Sequence, residues 1–88
     1  IEVEQALAAH PSVSEVAVVA APDDRWGEVP VAFVTAAGSD APEEDELQEF
    51  ARERLARFKV PKRIEVVDEL PKTGTGKIQK FVLRERVR

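Results

Sequence analysis

The chain has 88 residues, 43% of them hydrophobic and 34% charged, with a formal net charge of -4. This length supports one domain with a modest core and excludes a large multi-domain enzyme. With no cysteine and a single histidine, disulfide frameworks, thiolate nucleophiles and Cys- or His-rich metal centres are excluded, and the longest apolar run, Val16 to Ala21, is far too short to span a bilayer.

In chain order, Val3 and Leu7 stand four apart among Glu2, Glu4 and Gln5, which predicts an amphipathic helix stopped at His10-Pro11. Val13 to Ala20 is rich in β-branched residues and predicts a strand, with Val29 to Thr35 a second. The segment between them holds Asp23, Asp24, Arg25, Trp26 and Gly27, and is long for a tight hairpin. After a loop from Ala37 to Pro42, the residues Leu47, Phe50, Ala51, Leu55 and Phe58 recur at helical spacing. Phe58-Lys59-Val60-Pro61-Lys62 breaks that helix, and Arg63 to Val67 predicts a third strand ending at Leu70-Pro71. Lys72 to Lys77 is read as a flexible loop, followed by a helix from Ile78 to Arg88 with Ile78, Phe81, Val82 and Leu83 on its apolar side. The pattern predicts an α+β fold, a small three-stranded sheet covered by helices, with residues 1–88 as a single domain. The chain opens at Ile1 and has no methionine; it is read as a fragment of a longer protein.

The charge is unevenly spread. Residues 1–50 carry twelve acids against Arg25, and residues 51–88 carry twelve bases against five acids. Part of this follows from helix polarity, since Glu43 to Glu46 begin the long predicted helix and Arg52, Arg54 and Arg57 end it. The acidic clusters are read as caps and solubilising groups rather than acid-base pairs, and His10 as structural. What remains is a basic second half suited to phosphates.

The run Gly74-Thr75-Gly76-Lys77 invites comparison with the phosphate-binding pattern GxxxxGK followed by Ser or Thr. It fails, because Pro71 takes the place of the first glycine and Ile78 that of the hydroxyl residue. By residue type alone Lys77 reads most simply as a solvated surface lysine, and otherwise as a cation on a mobile loop that meets an anion. Phe58, taken by itself, reads as a core residue. With Trp26, Lys59 and Lys62 it also fits the aromatic-plus-base pattern that grips nucleotides.

Four motifs in order carry a family resemblance that covers nearly the whole chain. They are Ile1-Glu2-Val3-Glu4 with His10-Pro11 and Val13, Asp23 to Pro30, Phe58 to Lys62, and Leu70 through Lys77-Ile78 with Lys80 and Leu83-Arg84. In these the chain resembles the small C-terminal domain of the adenylate-forming superfamily, specifically the AMP-forming acyl-CoA synthetases. The resemblance implies ATP-dependent acyl-adenylate formation followed by transfer to CoA. The partner is the large N-terminal domain of the same enzyme, which brings the acid pocket and the magnesium that accompanies ATP. It places Lys77, with Gly76 beside it, at the carboxylate and phosphate oxygens. Trp26 falls near the pantetheine arm of CoA, Phe58 at its adenine, and Lys59 and Lys62 at its phosphates. Val60 stands where some relatives carry arginine, and Gly74 where alanine is common. The setting implied is cytoplasmic, and the isolated domain is expected to be inactive. Two other readings are a small domain serving a carrier protein and a non-catalytic anion-binding module. Against nucleic acid as the anion, the chain has no strand of interleaved aromatics and bases.

Overall fold

A computed structural model describes residues 2–39 and 41–87. Its elements are α1 (Glu2–Ala8), β1 (Val13–Asp23), β2 (Gly27–Ala36), α2 (Glu44–Arg54), β3 (Arg63–Val67) and α3 (Lys80–Arg86). The strands form one sheet in the order β1-β2-β3, with β2 antiparallel to β1 and parallel to β3. A parallel pair needs a crossover, and α2 supplies it between β2 and β3.

Val31 to Thr35 are consecutively buried in β2, as expected for a central strand covered on both faces. Alternation divides the core in two. Ala32, Val34 and Ile64 join Leu7 of α1 and Leu47 and Ala51 of α2 on one face. Val31 and Phe33 join Ala17, Val19 and Ala21 of β1 and Leu83 of α3 on the other. A register shift between Val13 and Glu15 resets the parity of β1, so that Val13 and Val16 both serve the α1/α2 core.

The α+β class, the element order and the three-stranded sheet agree with the sequence reading, and several boundaries differ. The strands extend through Pro22 and Glu28, leaving only Asp24 to Trp26 between them, so the connection is a tight hairpin rather than a long loop. Pro22 sits on an edge strand, where proline is tolerated. Helix α2 stops at Arg54 because Leu55 turns to extended backbone while remaining buried. Phe58 therefore falls in a 3-10 turn, Arg57–Lys59, and faces solvent. Helix α3 begins at Lys80, since Ile78 is bridged to Lys72, and its Phe81 is exposed rather than apolar-facing. The expectations at Ile1 and Arg88 lie outside the described residues.

Carboxylates close the sheet edges instead of merely solubilising helix starts. Glu4 accepts the Val18 N–H of β1 at 2.8 Å, and Glu44 accepts the Ile64 N–H of β3 at 2.9 Å. Both bonds satisfy outward-facing edge donors. His10 is buried; its Nδ1 accepts the Ser12 N–H, which leaves Nε2–H to donate to Glu46, both at 3.0 Å.

Burial disfavours charge on Glu4, but the Lys80 ammonium at 2.7 Å and the Val18 N–H outweigh it and hold the carboxyl below the usual glutamate range. A depressed folded-state value stabilises fully above the ordinary glutamate range and is lost as pH falls through the lower value. Glu4→Gln is therefore predicted to lower the denaturation midpoint at neutral pH, with the gap from the unsubstituted protein closing in acid. Paired denaturant titrations across pH test this, and a gap that does not change with pH rules it out.

Candidate functional site

The β1-β2 turn is organised by Asp23. Its Oδ1 accepts the N–H groups of Arg25 and Trp26, both at 2.9 Å, the side-chain-to-backbone turn that aspartate favours. Gly27 closes the turn at φ +82°, a conformation that costs glycine little. Trp26 is left 68% exposed. At the far side of β2, Lys62 N–H donates to the Pro30 carbonyl at 2.8 Å, fixing the entry to β3. The 3-10 turn just before it presents Phe58 at 79% exposure, which overturns the core reading of this residue.

These pieces enclose a groove of about 700 Å³ lined by Trp26, Val29, Pro30, Arg57, Phe58, Val60 and Lys62. Two exposed aromatic rings beside two cations form a surface on which a planar heterocycle stacks while its phosphates meet Lys62 and Arg57. Lys59 does not line the groove. Its ammonium pairs with Glu2 of α1 while lying 5.7 Å from the Phe58 ring centre. Asp23 Oδ2 accepts from Lys62 Nζ at 3.3 Å, and the Trp26 and Arg25 N–H groups, together with that lysine, hold Asp23 below the usual carboxylate range. An adjoining cleft mixes Glu44 and Asp45 with Arg52 and Arg57, so no single charge dominates it.

Gly76 and Lys77 lie elsewhere. Thr73 N–H donates to the Lys77 carbonyl at 2.8 Å, Gly76 N–H to the Thr73 carbonyl at 2.9 Å, and Lys72 bridges Ile78. With Gly76 at φ +86°, this is a three-residue hairpin loop, a turn followed by a left-handed glycine. The Thr73 hydroxyl also accepts the Lys77 N–H at 3.2 Å and contacts the Thr75 hydroxyl at 2.8 Å. The segment read as a flexible loop is thus a hydrogen-bonded hairpin. Lys72 pairs with Glu15 and Lys80 with Glu4, so the lysines on either side anchor the hairpin to β1 and α1. Lys77 is exposed, and among the described residues no carboxylate pairs with it. From Glu15, beside the hairpin, to Asp23, beside the groove, β1 runs about 25 Å at the usual rise per residue.

The structure therefore brings Trp26, Phe58 and Lys62 together, turns Lys59 toward Glu2, and sets Gly76 and Lys77 toward the other end of β1. Arg57 and Asp23 were missed as site residues. Asp23 was legible as an aspartate opening a glycine-closed turn. The Glu4 and Glu15 anchors were not, because their partners are far away in sequence.

A small sheet that carries an aromatic, basic groove and, apart from it, a lysine hairpin defines a class of mobile nucleotide-handling domain. Residues 2–77 match the AMP-binding enzyme C-terminal domain, and the chain belongs to that family. It is 56% identical over 90 residues to a probable CoA ligase of Humulus lupulus, covering all of this chain and 16% of the ligase. Among solved structures, ATP-bound MatB from Rhodopseudomonas palustris matches with a TM-score of 0.91 at 36% identity, over 97% of this chain and 17% of that one. A Mycobacterium tuberculosis fatty acyl CoA synthetase matches at 0.89 and 42% identity, with the same coverage. The chain thus spans about a sixth of the length of these relatives.

The hairpin geometry separates its two glycines. An added Cβ meets open space at both, but only Gly76 has a left-handed φ. Gly76→Ala is predicted to cost about 1–2 kcal/mol, and Gly74→Ala to be neutral or slightly stabilising. Denaturant midpoints of the two variants decide it, and equal losses would show that the backbone conformation is not the cause.

Proposed function

We propose that this chain is the moving catalytic portion of an AMP-forming acid–CoA ligase. In the first reaction a carboxylate attacks the α-phosphorus of ATP, giving acyl-adenylate and releasing pyrophosphate. In the second, the CoA thiol attacks the acyl carbon and AMP leaves. The observation that carries the reading is the placement of an unpaired lysine and an aromatic, basic groove toward opposite ends of β1 in one small domain. Two such sites cannot face one reaction centre together, so the domain reorients between steps.

In the first orientation Lys77 lies between two anions, the acid carboxylate and the α-phosphate, and its ammonium offsets the charge that crowds together as they react. Its anchored hairpin holds that cation in place, which lowers the reorganisation needed on closure. In the second orientation the groove receives CoA. Trp26 lies along the pantetheine arm, Phe58 stacks on the adenine, and Lys62 takes phosphate with Gly76 remote from it. Lys59 reaches phosphate only by leaving Glu2. A large N-terminal domain of the same enzyme supplies the acid and ATP pockets and the magnesium. Among the described residues no group of three or more His, Asp or Glu side chains could hold that ion. The reading sets this chemistry in the cytoplasm; among the described residues no helix is long and apolar enough to cross a membrane.

In the complete enzyme, Lys77→Ala is expected to slow pyrophosphate exchange by roughly a hundred- to a thousandfold, the usual cost of removing a donor to developing charge. Thioester formation from supplied acyl-adenylate should suffer much less, and equal loss in the two half-reactions would remove Lys77 from the role given to it. Trp26→Ala and Phe58→Ala are each expected to raise the KM for CoA about tenfold, in line with the loss of one stacking contact. If exchange slows while the KM for CoA stays put, the groove serves something else.

A further inference from the structure

Asp23 touches both walls of the groove. Its Oδ1 holds the backbone N–H groups of Arg25 and Trp26 at 2.9 Å each, and its Oδ2 meets Lys62 Nζ at 3.3 Å. The two ends of this ion pair are held differently. The Asp23 side chain is only 12% exposed, and that of Lys62 is 60% exposed. Charge-assisted N–H···O bonds are commonly about 2.7–2.9 Å, so the lysine contact is the looser one. The carboxylate is a fixed part of the turn, and the ammonium is its replaceable partner. Glu28 and Arg57, which also line the groove, are of opposite sign and leave the Asp23–Lys62 pair as the adjustable charge.

We propose that Asp23 is a positioning residue that sets the Trp26 wall through its backbone bonds and occupies Lys62 until a ligand phosphate displaces it. This rests on the reading of the groove as the CoA site. The carboxylate therefore has two opposed effects on CoA. By shaping the turn it favours binding, and by competing for Lys62 it weakens binding. The two can be separated by substitution. Asparagine keeps an oxygen that accepts both N–H bonds but has no charge to offer Lys62, whereas alanine loses both functions.

The experiment measures the KM for CoA and kcat in the complete enzyme carrying Asp23→Asn, Asp23→Ala or Trp26→Ala, over a series of sodium chloride concentrations. Asp23→Asn is expected to lower the KM for CoA roughly two- to fivefold at low salt, the size of an exposed ion pair, with the difference fading as salt screens it. Asp23→Ala is expected to raise the KM about tenfold through loss of the two turn bonds, with kcat changing less than KM. Equal KM values for the asparagine and alanine variants overturn the proposal, as does an asparagine variant whose KM keeps the salt dependence of the unsubstituted enzyme. Should the alanine variant not fold, the asparagine variant decides alone by that salt dependence. Trp26→Ala separates the layers of argument. If it leaves the KM for CoA unchanged, the groove is not the CoA site and both readings fall. If it raises the KM while neither Asp23 variant moves it, only the role of Asp23 falls.

Discussion

The domain depends on the burial of β2 from four sides. Strands lie on both its edges, and separate cores cover its two faces. A strand held in this way has no freedom to slip by one residue, because a slip would exchange Phe33 with its neighbours across the two cores. Its ends are consequently fixed points. Gly27 begins β2 and closes the turn that carries Trp26, while Pro30 receives the N–H that anchors Lys62. The groove is thus built on the entry to the most constrained strand in the molecule.

The site residues themselves project from this frame on short, internally bonded turns. Trp26 and Lys77 each sit next to a glycine of positive φ, and in each turn a side-chain oxygen, of Asp23 or Thr73, accepts backbone N–H groups. Local bonds of this kind let exposed side chains hold a position without burying themselves. They also account for an expensive feature of the surface. Trp26, Phe58 and Phe81 are the large hydrophobic residues left exposed among those described, and two of the three face the same groove.

Much of this was legible in the sequence where period and turn chemistry agree. The β-branched runs marked all three strands, and the spacing of Leu47, Ala51 and Leu55 marked the helix face of the core. The reading went astray where tertiary structure overrides local period. Phe58 continues the helical spacing by residue type, but the chain leaves the helix at Leu55, and Gln48 instead donates to the Pro61 carbonyl at 3.0 Å, holding the turn out of helical register. The glycines near Lys77 were read as sources of mobility, yet one of them is what allows the hairpin to close. The pairs Lys72–Glu15 and Lys80–Glu4 join distant segments, and no local pattern encodes them.

Glu4 deserves a last consideration because one carboxylate oxygen serves two masters. Its Oε2 accepts the Val18 N–H at the outer edge of β1 and pairs with Lys80 at the start of α3. A helix as short as α1 is marginal by itself, so its packing through Leu7 and this one carboxylate are what keep it in place. Fraying of α1 then uncovers the edge of β1 and releases the anchor behind Lys77 in the same event. These segments form one cooperative opening unit, and the amide of Val18 would exchange its hydrogen with solvent at the rate at which the lysine hairpin comes loose.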